Sequence, residues 1–276
     1  MTDIACIGHI TQDHNITTEL DYFAPGGTAR YFSVAMNALI ESSGIDMSFS
    51  LISREGPKHF FENKYGADMN DRQQRVMSTA LPFTVEELKD IDARFIVLGS
   101  LLASDFPIDV IRMLSEKGIV VLDAQGFLRE VRDEKVYAVD WADKTETLKY
   151  VDILKVNESE MQVLTGKTDP RESALLLAEW GVKEVLITLG SYGSLIYDAK
   201  TKEFYDIESF APKAVVDATG CGDTYVMGYV FMRAQGAAIE ESGRFAAAVS
   251  SLKLEMAGPF CGTYQQVISR SANRPS

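Results

Sequence analysis

The chain has 276 residues, 46% hydrophobic and 24% charged, which is enough apolar material for one large core and excludes a disordered or low-complexity protein. Its net charge of −13 argues against nucleic-acid or anionic-membrane binding, because both surfaces would repel it. The three cysteines, Cys6, Cys221 and Cys261, are far apart, odd in number and lack C-x-x-C spacing, so neither a disulfide framework nor a zinc site is indicated, and a reducing cytoplasm fits.

The first residues, M-T-D-I-A-C-I-G, lack a basic region, and their apolar run is too short for a secretion signal. No apolar stretch reaches the length of a membrane span, so a cytoplasmic protein is expected. Ile4 to Gly8 reads as a short buried strand ended by glycine. The polar segment His9 to Asn15 then falls at the edge where open α/β sheets place their ligands. Asp13 stands out there, because a carboxylate can accept hydrogen bonds from two neighbouring hydroxyls of a polyol. A solvated turn residue is the plainer alternative.

Gly26-Gly27 leads into a helical pattern with Ala29, Phe32, Ala35, Met36 and Leu39 on one face. Ser48 to Ser53 reads as a second strand. The polar stretch from Phe60 to Ala80 alternates in parts and contains a Gly-Ala-Asp-Met-Asn-Asp turn suited to a hairpin. From Asp92 strands and helices alternate. Phe95–Gly99, Ile119–Leu122, Val151–Val156 and Glu184–Leu189 are predicted strands. Helices are predicted over Pro107–Lys117, from Ser159 to near Gly166, over Arg171–Gly181 and over Arg244–Leu254, with a hairpin between Leu195 and Phe204. Such alternation predicts a mostly parallel sheet covered by helices on both faces. Asp13, Asp123, Asn157, Gly190 and Asp217 all follow predicted strands, so they should share one rim. His9, His14 and His59 form no metal-ligand pattern, and the tail after Tyr264 reads as frayed.

The segment V-V-D-A-T-G-C-G-D-T-Y-V-M-G from Val215 to Gly228 reads as strand end, glycine loop and helix start. Backbone N–H groups at a helix N-terminus favour an anion, and Gly220 and Gly222 let the backbone approach one closely. Asp223 would repel a phosphate held there, which suggests that it accepts a proton from an attacking hydroxyl; a helix cap is the alternative. A dinucleotide fingerprint fails because Tyr225 stands where the third glycine belongs. A Walker loop ending in Gly166-Lys167-Thr168 fails because Met161 occupies its first glycine position.

D-A-T-G-C-G-D-T followed by Gly228 resembles the signature of the ribokinase-like, or PfkB, carbohydrate kinases, with Ala218 and Cys221 as departures. Gly26-Gly27, Asn157-Glu158-Ser159-Glu160 and Thr188-Leu189-Gly190-Ser191-Tyr192-Gly193 lie in the matching order, so the similarity covers nearly the whole chain. It implies a single ribokinase-like α/β domain over residues 1–276, with a small β lid contributed by about 14–24 and 59–80. It implies Asp223 as catalytic base and the amides of Gly220, Cys221 and Gly222 as anion hole.

The resemblance further implies acceptor contacts from Asp13, Gly26, Gly27, Asp123 and Gln125. Nucleotide contacts would come from Asn157, Thr188, Gly190, Gly193 and Thr219, and Glu160 would act on Mg²⁺, through water. ATP and Mg²⁺ are the implied cofactors, with a monovalent cation such as K⁺ near Gly258-Pro259 in some members. A homodimer through the lid also follows from the resemblance. Tyr31 departs from the family, where asparagine is common. Asp123 to Arg129 is similar to the myo-inositol kinase branch. A sugar, a cyclitol and a nucleoside remain open as acceptors, as does a binding regulator without catalysis.

Overall fold

The structure is a computed structural model and describes residues 1–17, 21–54, 56, 58–65 and 72–272. In chain order the first elements are β1 (Thr2–Gly8), β2 (Thr11–Ile16), β3 (Asp21–Gly26), α1 (Thr28–Ser43), β4 (Phe49–Ile52), β5 (Phe60–Tyr65) and β6 (Arg72–Ser78). Next come α2 (Val85–Leu88), β7 (Ala93–Gly99), α3 (Ile108–Ser115), β8 (Ile119–Asp123), β9 (Arg129–Arg132), β10 (Lys135–Ala138) and α4 (Lys144–Thr147). The chain continues with β11 (Ile153–Asn157), α5 (Glu158–Thr165), α6 (Pro170–Glu179), β12 (Glu184–Thr188), β13 (Ser194–Asp198) and β14 (Glu203–Ile207). It closes with α7 (Cys221–Ala234), α8 (Ile239–Leu254) and α9 (Tyr264–Ala272).

Among the described residues eight strands form the main sheet in the order β14-β13-β12-β11-β8-β7-β1-β4. Pairing is parallel from β12 to β4, while β13 and β14 add an antiparallel edge. Strands such as Phe95-Ile-Val-Leu run almost continuously apolar because helices cover both faces. One face packs Phe32, Met36 and Leu39 of α1 with Met227, Val230 and Phe231 of α7 and Phe245 and Val249 of α8. The other buries Val110, Ile111 and Leu114 of α3 with Met161, Leu164 and Leu177 of α5 and α6. The main body is therefore an α/β layer fold, a mostly parallel sheet covered by helices on both faces.

A second sheet, β3-β2-β5-β6-β10-β9, is antiparallel except for the β2–β5 pair. Residues 129–138, where the sequence predicts no element, form its β9–β10 hairpin, so this sheet has more strands than the sequence predicts. The polar segment His9 to Asn15, expected at the C-terminal edge of the first strand, enters strand β2 of this second sheet at Thr11. Residues 66–71, where the hairpin turn was expected, lie outside the described residues. The sheet meets the main body through Phe61, Val76 and Leu101.

Two further expectations change. Val215 and Val216, taken as a strand end, are in no strand and are 71% and 51% exposed. The chain after Tyr264, read as frayed, is the helix α9, whose Val267 is fully buried. His9 and His59, which the spacing leaves unrelated, meet Asp105 in a buried cluster where β1 and β5 come together. His59 Nε2 lies 2.9 Å from Asp105 Oδ1, and His59 Nδ1 accepts from Ala80 N at 3.2 Å. Burial pulls His9 down to about 4, so this imidazole is neutral at ordinary pH and packs on Phe83 as an apolar ring.

Candidate active site

At the C-terminal edge of the parallel strands a cavity of about 300 Å³ opens between the two sheets. Asp13, Gly27, Asp123, Gln125, Asn157, Thr188, Thr219, Gly220, Gly222 and Asp223 all line it. Gly26, Glu160, Gly190, Gly193 and Cys221 do not. The sequence-singled residues thus come together from both ends of the chain, with Asp13 on the small sheet and Asp223 on α7.

The first turn of α7 starts from a glycine in the left-handed region. Gly220 has φ 76°, and a Cβ there would also strike the Tyr31 ring, so glycine is required twice over. The Cys221 N–H, expected in the anion hole, instead donates to Ala218 O at 3.2 Å. The Thr219 N–H donates to Asp217 Oδ1 at 2.8 Å. The Gly222 and Asp223 N–H groups keep no acceptor among the described residues and lie at the positive end of the helix. Asp217 also accepts from Gly258 N at 3.1 Å, which ties this loop to the chain after α8.

Asp223 is pushed up to about 6, by burial first and then by Asp123, while Lys155, a hydrogen bond from Thr28 and Arg129 pull it back. Lys155, which sequence reasoning missed, is 4% exposed in β11. Its Nζ lies 2.9 Å from Asp123 Oδ2 and 3.7 Å from Glu160 Oε2, and a Cβ on Gly222 would come within 2.9 Å of it. Burial alone would lower the Lys155 ammonium, yet Asp123 and Glu160 outweigh it and hold the group above the ordinary lysine range. A lysine inside the apolar run I-L-K-V-N was the available signal, since lysine is almost never buried unless paired. Tyr31, Arg129, Thr11, Thr28, Phe61, Gln74 and Leu101 also line the cavity; of these the sequence points to Tyr31 and to Arg129, the end of the Asp123 to Arg129 segment.

Asp123 Oδ1 accepts from the Gln125 N–H at 3.1 Å, so both its oxygens are engaged. Gly26 has a steric role: a Cβ there would sit 2.2 Å from Asp13 Oδ2, and its absence leaves room for that carboxylate. Thr11 Oγ1 donates to Asp13 Oδ1 at 2.6 Å and fixes its orientation. Asn157 caps α5, with Oδ1 accepting from Glu160 N at 2.9 Å, while Glu160 Oε2 accepts from Asn157 N at 2.8 Å. The Glu160 carboxyl is raised, by burial first, despite Lys155 beside it. Gly193 (φ 91°) closes a tight turn against Ile207 O, and Gly190 faces open space.

A family model described as pfkB family carbohydrate kinase matches residues 32–260. A solved pyrophosphate-dependent kinase in the ribokinase family, in complex with sulfate, is 29% identical with a TM-score of 0.80 over 97% of this chain and 99% of that one. A pyrophosphate-dependent kinase of the same family, complexed with a pyrophosphate analog and myo-inositol, is 27% identical with a TM-score of 0.77 over 93% and 96%. A ribokinase of Arabidopsis thaliana is 32% identical over 176 residues, 60% of this chain and 42% of that protein. The matches to the first curated relatives span well under half of those proteins. Among the described residues no helix is long and apolar enough to cross a membrane. With the family model covering most of its length and the site residues gathered on a ribokinase-like fold, the chain belongs to the pfkB family of carbohydrate kinases.

Proposed function

We propose that this protein transfers a phosphoryl group from a phosphoanhydride donor to a hydroxyl of a small polyhydroxylated acceptor. The observation that carries the reading is a proton-accepting carboxylate, Asp223, held at about 6 beside unpaired helix N–H groups in a cavity that Asp13 also lines. Asp13, Gln125 and Asp123 bind acceptor hydroxyls, with Gly26 and Gly27 shaping that end. The acceptor hydroxyl gives its proton to Asp223 as its oxygen attacks phosphorus, the phosphoanhydride P–O bond breaks and the rest of the donor leaves as a phosphate anion, and the charge on the transferred group falls on the Gly220 and Gly222 amides, joined by that of Asp223. Cys221 contributes through the turn it forms rather than by its own N–H.

Asn157 lines the cavity with the buried Glu160 behind it, a carboxylate-and-amide set suited to Mg²⁺ that keeps its waters. Held there by Asn157 and Glu160 through water, Mg²⁺ would neutralise charge on the donor phosphates. Thr188 and Thr219 stand on the donor side.

ATP is the donor expected of the family. A specific observation favours pyrophosphate as a second reading. Gly190 and Gly193, the glycines expected along a nucleoside, stay outside the cavity, and the two well-matched relatives are pyrophosphate-dependent. The myo-inositol complex of one of them supports a cyclitol within the polyol class. The test is a turnover screen of sugars, cyclitols and nucleosides against both donors with Mg²⁺. Tight donor binding with no turnover on any acceptor would replace the kinase by a binding regulator. A cytoplasmic setting agrees with three free cysteines, and a homodimer through the small sheet, whose edge strand β3 exposes Phe23, is testable by light scattering in solution.

A further inference from the structure

Lys253 lies near the end of α8 and is completely buried, which is costly for an ammonium unless oxygens replace its water. The oxygens are present. Nζ donates to Asp217 O at 2.8 Å and to Met256 O at 3.2 Å, and lies 3.4 Å from Asp217 Oδ2. Two backbone carbonyls and a carboxylate around one positive charge are the surroundings a dehydrated monovalent cation takes.

This cage stands at the root of the anion-binding turn. Asp217 holds the Thr219 N–H by one carboxylate oxygen and the Gly258 N–H by the other. Burial pushes the Cys221 thiol up to about 11, and the charge of Lys253 opposes that rise. A free monovalent cation, one of the cofactors the resemblance implies, does not fit here, because the ammonium already fills the cage.

We infer that Lys253 is a tethered cation: its ammonium braces the turn from Asp217 to Gly222 and makes the protein independent of added monovalent cations. Lys253 is a positioning residue, acting through Asp217 and the turn amides without touching substrate. The inference rests on the phosphoryl-transfer reading for its activity arm only.

The test compares wild type with Lys253→Ala and the volume-conserving Lys253→Met at fixed Mg²⁺ and ionic strength, exchanging choline chloride for potassium chloride. Wild-type turnover and melting temperature should be the same in both salts. Lys253→Ala should lose about ten- to a hundredfold in choline, the scale seen for outer-shell groups, and regain most of it in potassium or ammonium. Its melting temperature should rise with potassium, whereas Lys253→Met, with no room for an ion, should respond in neither measurement. Severalfold stimulation of wild type by potassium overturns the inference, as does a Lys253→Ala protein whose melting and activity ignore the cation. If Lys253→Ala does not fold in choline, folding restored by potassium supports the tether, and failure in both salts overturns it. A wild type that turns over no acceptor sinks the kinase reading, while the melting comparison still decides the tether.

Discussion

At the scale of single residues the site is a balance of charges in a confined space. Asp223, Asp123 and Glu160 share one buried ammonium, Lys155, and burial raises both Asp223 and Glu160. The proposed role of base requires Asp223 to be ionised, so on that reading kcat/KM should fall as pH drops through about 6, read from a pH–rate profile. Asp223→Asn should cut turnover at least about 10²-fold. Because its folded-state value lies above the unfolded one, the stability Asp223 contributes is full at low pH and is lost as pH rises through about 6. Asp223→Asn should therefore melt no lower than wild type at pH 7.5, which separates a lost base from a damaged fold. Lys155→Met removes a charge that pulls Asp223 down, so the acidic limb of the profile should move to higher pH, a shift that simple loss of packing would not give. Gly26→Ala should reduce kcat/KM for the acceptor about 10²-fold with little change in donor binding, since the new methyl displaces Asp13 by an ångström or more. Unchanged acceptor kinetics would remove Asp13 from the substrate site.

At the scale of elements, α7, whose first turn holds Asp223, is set in place by close packing against α8. A Cβ on Gly228 would lie 2.6 Å from Val249 Cγ1 and 3.0 Å from Ala246 Cα, so this glycine sets the approach of the two helices. Gly228→Ala should destabilise the protein by about 1–3 kcal/mol less the roughly 1 kcal/mol gained in helix propensity, measured by denaturant unfolding. A more stable variant would show that the helices can separate at no cost. The helices and parallel strands were legible because their apolar periodicity is strong: every position singled out on α1, from Ala29 to Leu39, is buried. The β9–β10 hairpin was not, because its turn uses Asp133 and Glu134 at φ 46° and 64° in place of the Asn-Gly pair that marks such turns. The short strand β2 was hidden for another reason: its Gln12 to Ile16 are partly exposed or polar, and only pairing with β3 and β5 makes them a strand.

At the scale of the molecule, a large two-faced core carries a small sheet that shares few buried residues with it. Phe61, Val76 and Leu101 are the apolar contact between them, whereas the main sheet is buried on both sides. Amides of β2, β5, β6 and β9 should exchange faster than those of β1, β7 and β8, and should gain protection when acceptor and a donor analogue bind together. Hydrogen exchange that ligands leave unchanged would count against a closing lid. The sequence by itself determined the parallel α/β core and the glycine turn ahead of Asp223, because periodicity and turn chemistry are local properties of the chain. It also placed Asp123 and Asn157 on one rim, since strand ends of a parallel sheet share an edge, whereas Asp13, expected on the same rim, reaches the cavity from β2 of the small sheet. Only the tertiary structure decided that Lys155 and Lys253 are buried cations, that the Cys221 amide is already satisfied, and that Gly26 yields space to Asp13. Those outcomes depend on which oxygen or methyl from a distant segment arrives within about 3 Å, and no local pattern encodes such distances.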